Sequence, residues 1–552
     1  MLFRILAFFI FLNVAHAAKI TLDSIQNYPK GIARDFYIFH FINQKDSSNE
    51  LALKAYNLAL YKTPRLQNAL SKKLPLELLP KEIYCKKLDF KTLLNQDTKC
   101  IESGLKLDDV LGKNQSDLAN KLSSQHLKNI VQTLKSAKLD KNAIFDATPA
   151  EIMQIFTSIN KANKLDLFEG FTINDRSKTK LIEIINAKNA GFDRAISQIV
   201  LDQNFKTLQN MLLDIDVSKL NASSNAYFYL AFNQVLNKKD VDKKLAKDLF
   251  KKAQDATNSG FYRDRALFWR YLMSQDSELL EELHKSNNPN IFSIYASYLL
   301  KKEPEFDVST LQSSKNNANF DVSNPFAWQE IRSSLKDADK NTFDAILAKL
   351  DSAPTLPHLA YAKNIEEKYA KNYFLFAYDE SKIWDNALDK ALNYAIARQE
   401  SQLIPAVVSP SYALGMMQIM FFNVPHFANE IYKKNDKKPA INEFDMFNPK
   451  TALAFGKYYI DELKEQFKSP LFSAYAYNAG PTFLRRLLKK GNLFVQNRDF
   501  EPWISMEQIP YEETRFYGMR VIANYVIYAK LLGVDLNLNN LLKEVLINKG
   551  AK

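Results

Sequence analysis

The sequence predicts a mostly α-helical protein: an N-terminal superhelix of stacked helical hairpins, a small helical linker and a distinct helical C-terminal domain. Three observations carry this. Only 13 glycines and 19 prolines occur among 552 residues, about half the usual share, and a chain poor in both is usually helical. From about Asp23 to Pro354, apolar residues recur at helical spacing. Short polar turns such as Asn258-Ser259-Gly260 separate the apolar stretches.

The N-terminus reads as a secretory signal over residues 1–17. Met1 to Arg4 carries a positive charge, Ile5 to Val14 is nearly all apolar, and Ala15-His16-Ala17 fits a small-x-small cleavage site. The apolar run is short for a membrane span, and no cysteine follows the cleavage site for a lipid anchor. An exported protein without a later membrane span is expected. Cys85 and Cys100 are the two cysteines. One disulfide suits an exported chain, and two buried thiols suit the sequence equally. The six histidines are scattered, and no metal site is suggested.

The superhelix is expected over residues 18–357. Leu51–Leu60, Leu127–Leu134, Glu151–Ile159, Leu181–Ile199, Ala226–Leu236, Lys244–Ala256 and Arg265–Met273 read as helices. No clean repeat period is visible. The many Tyr and Phe at helical spacing read as core and inter-repeat packing. The net charge of +12 is spread in small groups of lysine, as on solvated helix faces. It also favours an anionic polymer. Nucleic acid is a poor candidate for an exported protein with no recognisable binding motif, and no nucleic-acid partner is expected; an acidic cell-wall polymer fits better. Ser352-Ala353-Pro354-Thr355-Leu356-Pro357 reads as a break. One or two connecting helices through Asn364–Tyr378 would make up a linker over 358–385.

The remaining domain, 386–552, is organised around Glu400. Leu388, Leu392 and Ile396 line one helix face, and Glu400 is the next position on it. Ile404-Pro405 disfavours continuing the helix. Burial and the negative end of the helix dipole both raise a carboxyl pKa, which suits a general acid. Six of the 13 glycines precede Gly415, and seven lie from there on, so tight backbone is concentrated in this domain. Three more constellations follow. In Ser409-Pro410-Ser411-Tyr412-Ala413-Leu414-Gly415-Met416-Met417-Gln418, Gly415 allows a close turn before a helix expected near Met416. In Ala476-Tyr477-Asn478-Ala479-Gly480-Pro481, one helix ends at Gly480 and Pro481 starts the next. In Ile509-Pro510-Tyr511-Glu512-Glu513-Thr514-Arg515-Phe516-Tyr517, a proline turn leads into a helix. Taken alone, its charged pair Glu513 and Arg515 reads as a surface feature.

In this order the four motifs resemble the catalytic domain of the soluble lytic transglycosylases, periplasmic muramidases with a goose-type-lysozyme-like fold. The family pattern is Glu-Ser, Gly-Leu-Met-Gln, Ala-Tyr-Asn-Ala-Gly-Pro and Ile-Pro-x-x-Glu-Thr-Arg-x-Tyr, and it covers roughly Leu388 to Leu532. Met416 replaces the usual leucine, and Leu414 stands where a small polar residue is common. The helical N-terminal region resembles the superhelical ring of the family's large form. The resemblance implies a periplasmic enzyme that takes peptidoglycan glycan strands and cleaves the β-1,4 bond between N-acetylmuramic acid and N-acetylglucosamine, leaving a 1,6-anhydro ring. Glu400 would be acid and then base. Ser409, Gln418, Tyr477 and Asn478 would position the sugar, Glu513 would be a second cleft carboxylate that orders the floor and contacts substrate, and Gly415 and Met417 complete the expected binding set. No cofactor is implied, and other cell-wall enzymes are candidate partners. Ordinary glycosidases need a second carboxylate roughly 5 to 9.5 Å from the first, and none lies between Ser401 and Asn429. A second reading is a cell-wall scaffold that works through the solenoid, with weak or lysozyme-type hydrolysis.

Overall fold

The computed structural model describes residues 20–106, 118–137, 141–148, 150–152, 154–155, 174–188, 190–316, 320–379, 382–433 and 439–546. The signal segment 1–17 and most of the predicted Glu151–Ile159 helix lie outside these. The fold is mostly helical, with one two-stranded sheet among the described residues. No helix there is long and apolar enough to cross a membrane.

The polar turns seen in the sequence are the helix caps. Ser223 accepts the amide of Ala226 and so starts the helix Ser224–Asn237. Asp242 does the same for Lys243–Asp255. Asn290 starts Ile291–Leu300 with a reciprocal capping box to Ser293. These helices, with Gly260–Ser274 and Ser277–His284, pack each on its chain neighbour. Their aromatics are core: Phe228 and Phe232 meet Phe250 and Trp269 edge-on. The expected single helix Leu181–Ile199 is two, Asp175–Asn186 and Ala190–Leu201. The break comes at Lys188, whose φ of 49° is left-handed. Cys85 and Cys100 form a disulfide.

The C-terminal part is gripped from two sides. On one side the helix Ile32–Asn43 sets Phe36 and Phe39 against Tyr412 and Phe421. The Tyr412 hydroxyl accepts from Thr63 at 3.3 Å and donates to the Asp35 carbonyl at 3.4 Å. On the other side the guanidinium of Arg265 pairs twice with Glu507, at 2.7 and 2.6 Å, with both residues almost fully buried.

Ser352–Pro357 turns the chain without separating two cores. Ala353–Thr355 is a 3-10 turn leading straight into the helix Leu356–Glu366. Trp328, Ile331 and Leu350 before the turn share a small core with Leu359, Ala362 and Ile404 after it. No helix continues to Tyr378: residues 372–376 are non-helical, Tyr373 bridges to Ser309, and Ala377 and Tyr378 form a turn. The aromatic and apolar run Tyr373-Phe374-Leu375 is buried there, which favours strand over helix.

His358 sits in that small core, fully buried between Phe320 and Trp328, with neither ring nitrogen hydrogen-bonded. Burial pushes its pKa down to about 3 from 6.5. The folded state therefore refuses a proton that the unfolded chain takes up as pH falls below about 6.5. Its contribution is complete above that pH and is lost toward 3, at about 1.4 kcal/mol per pH unit. A His358→Leu chain should lose about 2 kcal/mol less stability than the natural chain between pH 6.5 and 5, read from denaturant melts. Parallel losses would refute the buried neutral imidazole.

Candidate active site

Glu400 is the penultimate residue of the helix Ala387–Ser401. Asn386 caps the start of this helix, and Ala391, Leu392, Ala395 and Ile396 bury its core face. The helix stops because Gln402 and Leu403 take left-handed φ values of 55° and 68° just before Ile404-Pro405. The Ser401 hydroxyl donates to the Met416 carbonyl at 2.8 Å. This ties the helix end to the next motif.

That motif is a hairpin and not the expected helix. Ala413–Leu414 pairs antiparallel with Ile419–Met420. Gly415, at φ 74°, and Gln418, at φ 48°, are both left-handed, which no helix accommodates. A Cβ at position 415 would collide with the Met446 carbonyl. Met417 corrects another expectation. Its side chain is fully buried against Gly456 and does not line the cleft. Its carbonyl oxygen instead accepts the Tyr477 hydroxyl at 2.6 Å. Gly415 also works through backbone alone. The Gln418 amide nitrogen donates to the carbonyls of Gly415 and Val407, at 2.7 and 3.3 Å. Gln418 itself lines the cleft.

Tyr477 and Asn478 lie near the C-terminal end of the helix Pro470–Ala479, which stops at Gly480 with φ 87°. Asn478 is oriented by Thr514, whose hydroxyl donates to Oδ1 at 2.7 Å. Glu512 and Glu513 open the helix Glu512–Leu531 and are exposed. Arg515 is not a surface residue. It is fully buried, donates to the Ile509 carbonyl at 2.9 Å and also donates to the Tyr229 hydroxyl. It therefore braces the proline turn against the superhelix.

The structure brings Glu400, Ser409, Gln418, Tyr477, Asn478 and Glu513 to one cleft of about 800 Å³. The Glu400 carboxyl is raised to about 7, chiefly by burial. Tyr517 opposes this by donating a 2.6 Å hydrogen bond to Oε1, and the charge on Glu513 adds to it. Burial also holds the phenols of Tyr517 and Tyr477 well above their usual range, so both remain donors. Sequence reading passed over Tyr517 as a site residue. The signal was available, since 513 and 517 share one helix face. It also passed over Arg194, Ser197 and Gln198, which line the cleft from the helix Ala190–Leu201. Nothing local in the sequence marks them. Asp385, Asp389 and Asp461 form a carboxylate cluster near the start of the Glu400 helix. Lys457 and Lys464 reach into it at 2.5 to 3.4 Å.

Gly415→Ala should cost more than about 1 kcal/mol, because it adds a collision to a strained φ. Gly491→Ala has a φ of 66° and open space around it, so it should cost less. Denaturant midpoints of the two variants decide; equal losses would mean that the Met446 carbonyl does not confine the turn.

Residues 378–497 match the family model described as Transglycosylase SLT domain. The match takes in Glu400, the hairpin, Tyr477 and Asn478, and ends before Glu513. Over 140 residues the chain is 34% identical to the soluble lytic murein transglycosylase of Escherichia coli (strain K12), covering 25% of this chain and 20% of that protein. A Haemophilus influenzae protein, provisionally described as a soluble lytic murein transglycosylase, is 26% identical over 294 residues, 48% of this chain and 46% of that one. A solved structure of an inactive mutant of lytic transglycosylase Slt from Pseudomonas aeruginosa has a TM-score of 0.45 at 16% identity, covering 91% of this chain and 82% of that one. The matches to the E. coli and H. influenzae proteins thus span a fifth to a half of those proteins' lengths. Through its C-terminal motifs the chain resembles the soluble lytic murein transglycosylases, and residues 378–497 carry a transglycosylase SLT domain.

Proposed function

We propose that the chain is a periplasmic lytic transglycosylase of peptidoglycan, with residues 386–552 as its catalytic unit. The observation that carries this is the Glu400 carboxyl. It is raised to about 7, holds a hydrogen bond from Tyr517 and faces a cleft with Tyr477, Asn478 and Ser409. A carboxyl that is substantially protonated at neutral pH can give its proton to a leaving oxygen and take another back afterwards.

In the proposed reaction Glu400 protonates the oxygen that links N-acetylmuramic acid to N-acetylglucosamine. The C1–O bond breaks, and an oxocarbenium-like centre forms at C1, assisted by the neighbouring N-acetyl group. Glu400, now an anion, removes the proton from the C6 hydroxyl of the same muramyl ring. O6 bonds to C1 and closes the anhydro ring, so no water is consumed and Glu400 ends protonated. Tyr477, Asn478, Ser409 and Gln418 orient the sugar. The Glu513 carboxylate stands close enough for its charge to favour the acid form of Glu400 at the start. Gly415 and Met417 serve by shaping the turn and by accepting the Tyr477 hydroxyl.

Glu400→Gln should slow release of soluble products from purified peptidoglycan by about 10²- to 10⁴-fold, the usual contribution of a positioned general acid, without loss of stability. Mass analysis of the natural chain's products should find anhydromuramyl ends. Reducing muramic ends, or full activity in the variant, would refute the mechanism.

A further inference from the structure

The cleft has a wall that the transglycosylase motifs do not supply. The helix Ala190–Leu201 presents Arg194, Ser197 and Gln198 to it, beside Tyr477, Asn478 and Glu513. Residues 194 and 198 are one turn apart and share a face. The same face continues past the cleft at both ends. Arg194 also lines a neighbouring cavity of about 360 Å³ with Glu512. Gln198 lines one of about 480 Å³ with Pro510 and Tyr511. A polymer lying in the cleft would therefore run along this helix.

The charges on the lining are one-sided. Among the described residues it carries the carboxylates of Glu512 and Glu513, the Glu400 acid, and one cation, Arg194. Arg194 is exposed, and no carboxylate among the described residues pairs with its guanidinium. Its neighbour Asp193 is turned to the Ser223 hydroxyl, which donates to it at 2.6 Å. A glycan strand that bears peptides brings carboxylates into this cleft, and the acidic side repels them. A guanidinium offers a planar fork of donors that matches a carboxylate.

We propose that Arg194, on the superhelix, is a positioning residue that binds a carboxylate of the peptide substituents on the glycan strand. This rests on the transglycosylase reading for the identity of the strand. Its occupancy would turn the peptide toward the Ala190–Leu201 helix and leave the sugar ring to Tyr477 and Asn478.

Binding can be measured without turnover on the full-length Glu400→Gln chain, using soluble glycan oligomers with their peptides and the same oligomers stripped of them. The peptide-bearing oligomer should bind about tenfold more tightly, as expected for hydrogen bonds to a charged group. Adding Arg194→Ala should remove that preference and leave the affinity for stripped oligomers unchanged. Arg194→Lys should keep part of it. The proposal is overturned if the preference is absent, if it persists in Arg194→Ala, if both affinities fall together, or if neither oligomer binds. A chain that binds with the expected preference but releases no anhydro product would lose the catalytic reading and keep Arg194 as a peptide-reading site.

Discussion

One largely desolvated carboxyl group faces the cleft with a single hydrogen-bond donor, and the rest of the cleft is arranged around that constraint. Glu400 is attached to a helix whose other face is buried, so its backbone position is fixed by the core. Tyr517 gives it one hydrogen bond, enough to fix its direction but too little to offset desolvation. Tyr517 is buried beside it, as is Tyr477, and as neutral phenols they add no charge. The anion nearby is Glu513, and it pushes the same way as burial.

Holding such a group in place requires anchors at both ends of its helix. At the start, the buried Asp389 is held by Lys457 and Lys464. At the end, Ser401 is bonded to the hairpin through Met416. The opposing wall is fixed by a second buried network. Arg265 and Trp269 of the superhelix meet Glu507, and Tyr229 accepts from both Arg265 and Arg515. A buried pair of this kind adds little net stability over apolar packing, but removing one partner costs about 3–5 kcal/mol. Loss of either partner would therefore loosen the contact between these two parts of the chain. The result is a cleft lined by two parts of the chain far apart in sequence.

The legible part of this was whatever depends on local pattern. The helix ending near Glu400 follows from apolar spacing and Ile404-Pro405. The junction at Gly480-Pro481 follows from the two residues' backbone preferences. The glycine at 415 marks a turn, but not how the chain leaves it. Whether a chain leaves such a turn as helix or strand depends on what it pairs with, and here Val407, Met446 and Tyr477 claim the backbone of the turn. Arg515 read as a surface residue because its partner, Tyr229, is 286 positions away. Arg194 gave no signal for the same reason: its meaning lies in the wall it faces. The aromatic stretch 373–375 defeated a helical expectation because its burial against Tyr528 and Arg398 rewards an extended backbone.

The proposed catalysis depends on the protonation of Glu400 in the resting protein. Glutamate carboxyls can be labelled with ¹³C, the Glu400 signal assigned by its loss in Glu400→Gln, and its shift followed across the pH range. A midpoint near 7 is the predicted result. A midpoint in the ordinary carboxylate range, near 4.5, would mean that the group is an anion at neutral pH and cannot be the resting acid.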